Sequence, residues 1–365
     1  MKNGKKWCIC FAVFFILLAV VLGGITATVD PYFHYHAPME TLAYPLNNQR
    51  YQNDGIVKHF DYNAIITGTS VTENFHASDL ERLFGFRTIK VPLSGGSYKE
   101  VNDMLRRACK ANKNIEMVVR SLDAYMLFYD KDYMHESFQY PYFLYDTNLF
   151  NDAEYIFNKE VLLDDVTHVL EYTKAGCRTT NFDEYSNWET SFRFCKESVF
   201  ERYNRPAQSD ELASFDEETR CKVQENVYQN VIALAEEYPD VQFYCFYPPY
   251  SIVWWDETTR EGRAEQQIEA LKCASEMLLE VNNIHLYSFT IDENIIMDLS
   301  NYKDLEHFSA EINTYILECM KAERFLLTKE NNEKYWEDVS ACLTSFGYDA
   351  FFEEEGYFSS ESHRE

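Results

Sequence analysis

The residues whose types and spacing could carry out nucleophilic chemistry are Ser70, Asp304 and His307. A serine hydroxyl is a poor nucleophile unless a neighbouring base removes its proton, and that base works best when a third group fixes its tautomer. Asp304 stands three positions before His307, so its carboxylate can reach Nδ1 of the imidazole while Nε2 points at Ser70. The spacing predicts a Ser-His-Asp catalytic set whose acid and base come from one loop.

Donors for a developing oxyanion are expected from the turns that follow two predicted strands. The backbone N–H of Ser70 lies at the start of a helical stretch, and Gly96 lies in the turn Ser94-Gly95-Gly96-Ser97. Backbone N–H groups in such positions can stabilise an oxyanion. We therefore predict Ser70 and Gly96 as the donors, with Gly95 as the alternative to Gly96.

These residues resemble the sequence blocks of the SGNH (GDSL-like) hydrolases. Gly68-Thr69-Ser70 looks like the Gly-Asp-Ser block of that family, and Asp304 with His307 looks like its terminal Asp-x-x-His block. Gly96, or Gly95, matches the glycine block between them. The resemblance covers residues 60 to 325 and follows the family's block order.

Two positions depart from the pattern of that family. Thr69 replaces the usual Asp, which is tolerable because that side chain is not the nucleophile. Ser121-Leu122-Asp123 aligns with the Gly-x-Asn block, so the resemblance puts Asp123 where an oxyanion-donating amide is usual. An ionised Asp123 would oppose the oxyanion and could serve only if protonated, and a structural role as a turn acid or helix cap is the alternative.

The resemblance implies that an acyl-enzyme forms on Ser70 and that a polymer hydroxyl or water then attacks it. Similar membrane-anchored domains, including those resembling the lipoteichoic acid D-alanylation and alginate acetylation proteins, act on cell-surface polymers, often beside a polytopic acyltransferase. We therefore expect O-acyl transfer or ester hydrolysis on a surface polysaccharide, with that glycan and such an acyltransferase as partners and without a cofactor.

Two alternatives to this function remain open from the sequence. One is a plain carbohydrate esterase, which needs the same catalytic set and only water as acceptor. The other is a non-catalytic, membrane-anchored assembly protein whose degenerate site binds glycan, and the carboxylate of Asp123 favours it.

Aromatic residues after the Pro248-Pro249 loop are candidates for substrate binding. Tyr250, Trp254 and Trp255 follow a predicted strand, and their rings could stack on sugar rings. Packing in the core is the alternative, because large aromatic side chains most often fill protein interiors.

Neither a metal site nor a disulfide framework is predicted. His34 and His36 have no nearby cluster of ligands that would complete a metal site. The ten cysteines are scattered singly or lie in the N-terminal apolar run, although Cys177 and Cys195 are one pair that could form a disulfide.

Short apolar runs alternate with amphipathic segments from residue 61 onward, which is typical of β-α-β units and a parallel sheet. We predict an α/β fold of the flavodoxin-like, three-layer α/β/α sandwich type, plus one N-terminal transmembrane helix. Functional loops gather at the carboxyl ends of strands in such sheets. The predicted strands are Ala64 to Thr67, Thr88 to Val91, Ile115 to Val119, Val241 to Phe246 and His285 to Phe289.

The domain organisation follows from these segments. Residues 30–60 are predicted to form a juxtamembrane segment, and residues 61–325 the SGNH-like domain. The α/β alternation stops near 125–218, which indicates an insertion that could shape a cleft or serve only as a packing layer. Residues 326–365 are predicted to contain a helix and an acidic tail.

Residues 1–29 are predicted to be a cytoplasmic tip and a transmembrane anchor. The run Trp7 to Val29 carries no charge and would span about 34 Å as a helix, compared with about 30 Å for a hydrocarbon core. A secretory signal has a shorter apolar stretch and is the alternative. Lys2, Lys5 and Lys6 precede the run, so we expect a cytoplasmic N-terminus and an extracytoplasmic domain.

The charge balance excludes one class of partner. Residues 30–365 hold all 60 acidic residues but lack three of the 33 basic residues, which gives a formal charge of about −30. Such a field repels nucleic acid and anionic lipid headgroups. We expect this acidity to keep an exported domain soluble rather than to bind a ligand.

Overall fold

A computed structural model of the protein describes residues 2–135 and 140–359. Five strands form its single described sheet: β1 (Ala64–Thr67), β2 (Thr88–Lys90), β3 (Met117–Ser121), β4 (Gln242–Tyr247) and β5 (Ile284–Ser288). All four strand pairs are parallel, and the spatial order is β2-β1-β3-β4-β5. The predicted α/β fold with a parallel sheet is confirmed.

The strands are short apolar runs because most of their residues are buried on both faces of the sheet. Every residue of β1, β2 and β3 is buried, whereas β4 and β5 have three partly exposed positions between them. Such two-sided burial is expected of parallel strands. The registers pair Ile65 with Ile89 and with Val118, so apolar side chains meet at the middle of these three strands.

Helices connect the strands and extend the chain at both ends. They are α1 (Lys2–Val29), α2 (Gln49–His59), α3 (Ala77–Phe84), α4 (Tyr98–Ala111), α5 (Ala153–Ile156), α6 (Val166–Lys174), α7 (Lys196–Arg202), α8 (Glu217–Val227), α9 (Ala233–Glu237), α10 (Ile252–Arg260), α11 (Ala264–Leu278), α12 (Glu293–Ile296), α13 (Ala310–Lys321), α14 (Asn332–Thr344) and α15 (Tyr348–Glu354).

The helices pack against one another in two sets. Helix α3 contacts α13, while α11 contacts α8 and α14 and α4 contacts α2. Helix α4 begins with a reciprocal capping box, in which Ser97 accepts from the N–H of Glu100 and Glu100 accepts from the N–H of Ser97. Such a cap satisfies two backbone donors at the helix start, so the chain leaves the β2 loop at a fixed point.

The segment predicted as an insertion lies between β3 and β4. Within its described residues it contributes α5, α6, α7 and several short turns, but no strand of the sheet. One end of the segment contacts α1, since α5 and α6 both touch that helix. The helix predicted after residue 326 is α14, and residues 360–365 of the predicted acidic tail lie outside the described residues.

The N-terminal helix α1 is long and apolar enough to cross a membrane. Its segment Gly4–Val29 has 26 residues and a mean hydropathy of 3.0 over its most apolar window. Most of its side chains are exposed, including Phe14 and Phe15. All ten cysteines of the sequence lie in the described part of the chain and are free, so the Cys177–Cys195 disulfide is not formed.

Candidate active site

Ser70 lies directly after β1, on a turn that only glycine permits. Gly68 has φ of +145°, and a Cβ at that position would collide with the side chain of Ser121. The chain therefore turns sharply, and Ser70 begins a short 3₁₀ turn that ends at Thr72. Among the described residues, no protein acceptor receives the backbone N–H of Ser70.

Ser70, His307 and Asp304 lie together although 237 positions separate the serine from the histidine. The Oγ atom of Ser70 is 2.7 Å from Nε2 of His307. On the other edge of the ring, Nδ1 is 2.9 Å from both carboxylate oxygens of Asp304. In this arrangement Nδ1 donates to the carboxylate and Nε2 is left to accept the proton of the serine, as a general base requires.

The loop that carries Asp304 and His307 is held by its own backbone. Oδ1 of Asp304 accepts the N–H of Glu306 at 3.0 Å and that of His307 at 2.9 Å. Below the loop, Ser251 at the start of α10 donates both its N–H and its hydroxyl to the carbonyl oxygen of Leu305. These bonds fix the orientation of the imidazole relative to the sheet.

Burial and hydrogen bonding act in opposite directions on Asp304. Burial alone would raise the pKa of the Asp304 carboxyl, but hydrogen bonds and charge from His307, together with two backbone N–H groups, hold that pKa below its usual value. The side chains of Asp304 and His307 are 22% and 19% exposed, so the pair is reachable from solvent. The carboxylate is therefore ionised at neutral pH and can stabilise an imidazolium.

Asp123 is a structural acceptor rather than an oxyanion donor. Its buried carboxylate accepts hydrogen bonds from the hydroxyls of Tyr250 at 2.8 Å, Ser121 at 3.0 Å and Thr69 at 3.1 Å. Burial raises the pKa of Asp123, and these three donors oppose the rise. Of the two roles left open for Asp123, these contacts favour the structural one over the oxyanion donor, because its oxygens accept bonds that fix Thr69 beside Ser70.

The two glycines after β2 differ in what their backbones can offer. The N–H of Gly96 donates to the carbonyl oxygen of Leu93 at 2.8 Å in a tight turn, so it is already occupied. The prediction of Gly96 as the oxyanion donor is therefore corrected. Gly95 is exposed, has φ of +64°, and its N–H has no protein acceptor among the described residues. The N–H of Leu93 donates to Gly68, which ties this loop to the serine turn.

The three aromatic residues predicted to bind substrate are core residues. Tyr250, Trp254 and Trp255 are only 2%, 4% and 1% exposed, so they offer no open face to a sugar ring. Their rings pack against one another, with centroids 4.9 Å apart for the first pair and 4.8 Å for the second. The substrate-binding prediction is corrected, because their position after β4 turns them inward beneath the His307 loop.

The insertion supplies an aromatic wall that the sequence analysis did not identify. The Trp188 ring meets the His307 ring edge-on, with centroids 5.6 Å apart, and its indole N–H donates to Glu73 at 2.7 Å. The ammonium of Lys303 lies 3.8 Å from the Trp188 centroid and 4.1 Å from that of Phe192.

A second carboxyl of the His307 loop is strongly perturbed. Burial raises the pKa of Glu306 to about 7, and the nearby charges of Asp123 and Asp304 add to the rise while His307 opposes it. Glu306 therefore carries a proton over part of the physiological pH range, beside the candidate base.

A cavity of about 620 Å³ lies next to Tyr125, and none of its lining residues is Ser70, Asp304 or His307. Its apolar wall is formed by Tyr125, Phe128 and Tyr129, which are all partly exposed, and the Tyr125 ring stacks on the buried Tyr250 ring at 6.5 Å. The remaining lining residues are polar or charged: Asp216, Glu218, Thr219, Lys222, Arg263 and Gln266. The cavity therefore offers a ligand both aromatic faces and hydrogen-bonding groups of either charge.

No group of three or more His, Cys, Asp or Glu side chains that could hold a metal ion occurs in residues 2–135 and 140–359. His34 instead contacts Asp152, and His36 contacts two backbone carbonyl oxygens. In comparisons with known proteins, no protein-family model matches the chain and no curated protein matches it significantly.

Proposed function

We propose that the protein is a serine-dependent O-acyltransferase or esterase that acts on a cell-surface polysaccharide or related polymer. The observation that carries this proposal is the continuous hydrogen-bonded chain from Ser70 Oγ through His307 to the Asp304 carboxylate. All three side chains belong to loops at the carboxyl ends of the sheet or just beyond it, where α/β proteins bind ligands.

The proposed reaction has two halves. His307 Nε2 takes the proton of Ser70 as Oγ forms a bond to the carbonyl carbon of an ester. The resulting oxyanion is held by the N–H groups of Ser70 and Gly95. His307 then gives its proton to the leaving alcohol as the ester C–O bond breaks, and the acyl group remains on Ser70.

The second half transfers the acyl group to an acceptor. A polymer hydroxyl or water loses its proton to Nε2 of His307 and attacks the acyl carbon. The bond to Ser70 Oγ breaks, and His307 returns the proton to that oxygen. Asp304 stays ionised throughout and stabilises the imidazolium formed in each half. Both acceptors use the same residues.

Two features support a glycan as the acceptor. The cavity next to Tyr125, whose ring stacks on Tyr250, combines three partly exposed aromatic rings with neutral and charged hydrogen-bonding groups. The acidic domain would repel polyanions, so a neutral or cationic polymer suits it better. A polytopic membrane acyltransferase remains the proposed donor partner, as the SGNH resemblance implies.

We also propose the finer fold and the location. The strand order 2-1-3-4-5 is that of flavodoxin-like doubly wound sheets, and α3 with α13 would form one helical layer while α4, α8 and α11 form the other. Together with Gly68-Thr69-Ser70, this supports an SGNH-type, three-layer sandwich. Helix α1 would be a single-pass anchor with a cytoplasmic N-terminus, because Lys5 and Lys6 precede its apolar run.

The non-catalytic alternative had Asp123 as its main support. In the structure that carboxylate accepts three hydrogen bonds behind the serine turn, so it is not a defect facing the substrate. We therefore favour the catalytic proposal over a degenerate glycan-binding site.

A fluorophosphonate probe tests the proposal, because it labels only activated serines. The full chain in detergent should be labelled, and Ser70→Ala and His307→Ala should abolish labelling. Ser94→Ala is the matched control, since Ser94 lies in the neighbouring β2 loop outside the hydrogen-bonded chain; it should be labelled like the native protein. Absence of labelling in a folded native chain would contradict the proposal.

A further inference from the structure

The carboxyl end of α1 is fixed to the domain by a buried aspartate. Asp30 follows the helix with φ of +46° and is fully buried. Its carboxylate accepts the backbone N–H groups of His34 and Tyr35 and the hydroxyl of Tyr155 at 2.7 Å. The helix is therefore bonded both to the segment that follows it and to α5 of the insertion.

Two further side-chain hydrogen bonds join the residues that follow α1 to the insertion. The hydroxyl of Tyr32 donates to Asp165 at 2.6 Å, and the hydroxyl of Tyr35 donates to Asp152 at 3.0 Å. The ring of Tyr32 also stacks on that of Tyr155, with centroids 5.5 Å apart. Residues 152–165 thus hold the end of α1 at several points, and no flexible tether separates the helix from the domain.

The insertion also lies alongside α1 before the helix ends. A Cβ at Gly23 would be 2.7 Å from Cγ2 of Ile156 and 3.4 Å from the Phe157 ring. Gly23 stands six positions before Val29, which corresponds to about 9 Å along the helix axis. If α1 spans a bilayer, Phe157 therefore lies at the depth of the outer hydrocarbon boundary rather than in bulk water.

Four large apolar side chains of the same segment are mostly exposed. Phe150 is 94% exposed, Leu149 is 77% exposed, and Phe157 and Leu163 are each 55% exposed. Leu149 and Phe150 lie four and three positions before α5, and Leu163 lies in the turn of helix before α6 that also contacts α1. We call these four residues the membrane-facing patch.

We infer that the membrane-facing patch is seated in the outer leaflet of the phospholipid bilayer, at the boundary between headgroups and acyl chains. Phe157 packs beside Gly23 of α1 and the turn that carries Leu163 contacts the same helix, so the patch adjoins the exposed apolar surface of α1. Exposed Glu154 and Lys159 beside the patch can reach the headgroups. Aromatic and leucine side chains bind that zone when an amphipathic element lies in the membrane plane. The inference rests on the proposed anchoring by α1, not on the proposed chemistry.

The consequence is a domain with a fixed orientation on the membrane. A helix joined to the domain by a flexible linker would let the domain reorient freely. Contacts of both α1 and the patch with the bilayer would instead fix the orientation of the domain relative to the membrane. Ser70 is then held at one height above the bilayer, which suits a reaction with a membrane-embedded acyl donor.

Quenching by lipids with brominated acyl chains tests the inference in the full chain. Phe150→Trp and Phe157→Trp each place a reporter in the patch, and the reference is native protein in the same phosphatidylcholine vesicles. Leu212→Trp is the matched control, because Leu212 is 73% exposed but lies beside Gly262, after α10, and outside the segment that contacts α1. The two patch reporters should be quenched and blue-shifted, and the control reporter should be unaffected.

The fluorescence of Trp7, which lies in α1, reports whether α1 is inserted in the bilayer. It therefore distinguishes a patch that does not bind lipid from a helix that does not span the membrane. Its contribution is obtained by comparison with Trp7→Phe, and it should be quenched if α1 crosses the bilayer. Quenching of Trp7 without quenching of the patch reporters would overturn the inference but would still support membrane anchoring by α1. This result is expected if a membrane protein rather than lipid covers the patch. Absence of quenching at all sites would overturn both, whereas fluorophosphonate labelling would still report on the chemistry.

Discussion

Replacing Asp304 with Asn should separate its effect on the tautomer of His307 from its effect on the loop. The Asn oxygen can still accept the N–H groups of Glu306 and His307, which Oδ1 now receives at 3.0 and 2.9 Å. The retained oxygen stays 2.9 Å from Nδ1, but the new amide N–H₂ takes the place of Oδ2, which is equally close, and can only donate to Nδ1. The imidazole proton then moves to Nε2, so the ring can no longer take the proton of Ser70.

The expected magnitudes differ for activity and stability. A wrong tautomer costs about 10⁴-fold in rate, equivalent to about 5 kcal/mol of transition-state stabilisation. The free energy of unfolding should change by less than about 1 kcal/mol in Asp304→Asn, since both loop bonds remain. Asp304→Ala removes them as well and should lower the free energy of unfolding by about 2 kcal/mol.

The assay is the rate of fluorophosphonate labelling for the native chain and both variants, with thermal unfolding measured on the same samples. Asp304→Asn should lose nearly all labelling while it unfolds close to the native temperature. Labelling of Asp304→Asn within about tenfold of the native rate would refute the proposed role of the carboxylate.

Three further predictions concern the surroundings of the site. Gly68→Ala should destabilise the protein by about 2 kcal/mol and reduce labelling, because only glycine tolerates its backbone conformation beside Ser121; thermal unfolding measures this. Asp123→Ala leaves three buried hydroxyls without an acceptor and should cost about 4 kcal/mol in urea unfolding, whereas Asp123→Asn, which keeps one oxygen and the volume, should cost less than half as much. Glu306 keeps its proton in the folded protein up to about pH 7 but releases it near 4.5 when unfolded, so stability should fall as pH rises through that window. Glu306→Gln should reduce this pH dependence of stability. If the unfolding temperature of Glu306→Gln changed with pH as steeply as that of the native protein, the prediction would be contradicted.

The sheet could be predicted because each strand is a short apolar run that is buried on both sides. β1 begins and ends at the predicted residues, and the ends of the other four strands differ from prediction by at most two residues. Turn residues such as Gly68 and Pro92 bounded those runs clearly. The insertion could not be predicted in the same way, because its helices α5 and α7 are too short to show a helical period.

The proximity of Ser70, His307 and Asp304 was predictable for a different reason. Residues after parallel strands converge at one edge of a sheet, and the three-residue spacing of acid and base is a local property. Trp188 contacts His307 only through the fold of the insertion, so no pattern near either residue indicates that contact.

The aromatic predictions failed because position after a strand does not fix the direction of a side chain. Tyr250 follows β4 as expected, but its hydroxyl donates inward to Asp123 and the ring is buried. Likewise, the glycine pair after β2 marked a turn, yet the sequence could not tell that the N–H of Gly96 closes that turn on Leu93.

The proposed reaction requires that Ser70 becomes covalently acylated. Mass spectrometry of the full chain after brief exposure to an activated acetyl ester detects this modification directly. We expect one acetyl group on the peptide that contains Ser70, with none on that peptide in Ser70→Ala and much less in His307→Ala. An unmodified Ser70 peptide in folded native protein, or equal acetylation in His307→Ala, would contradict it.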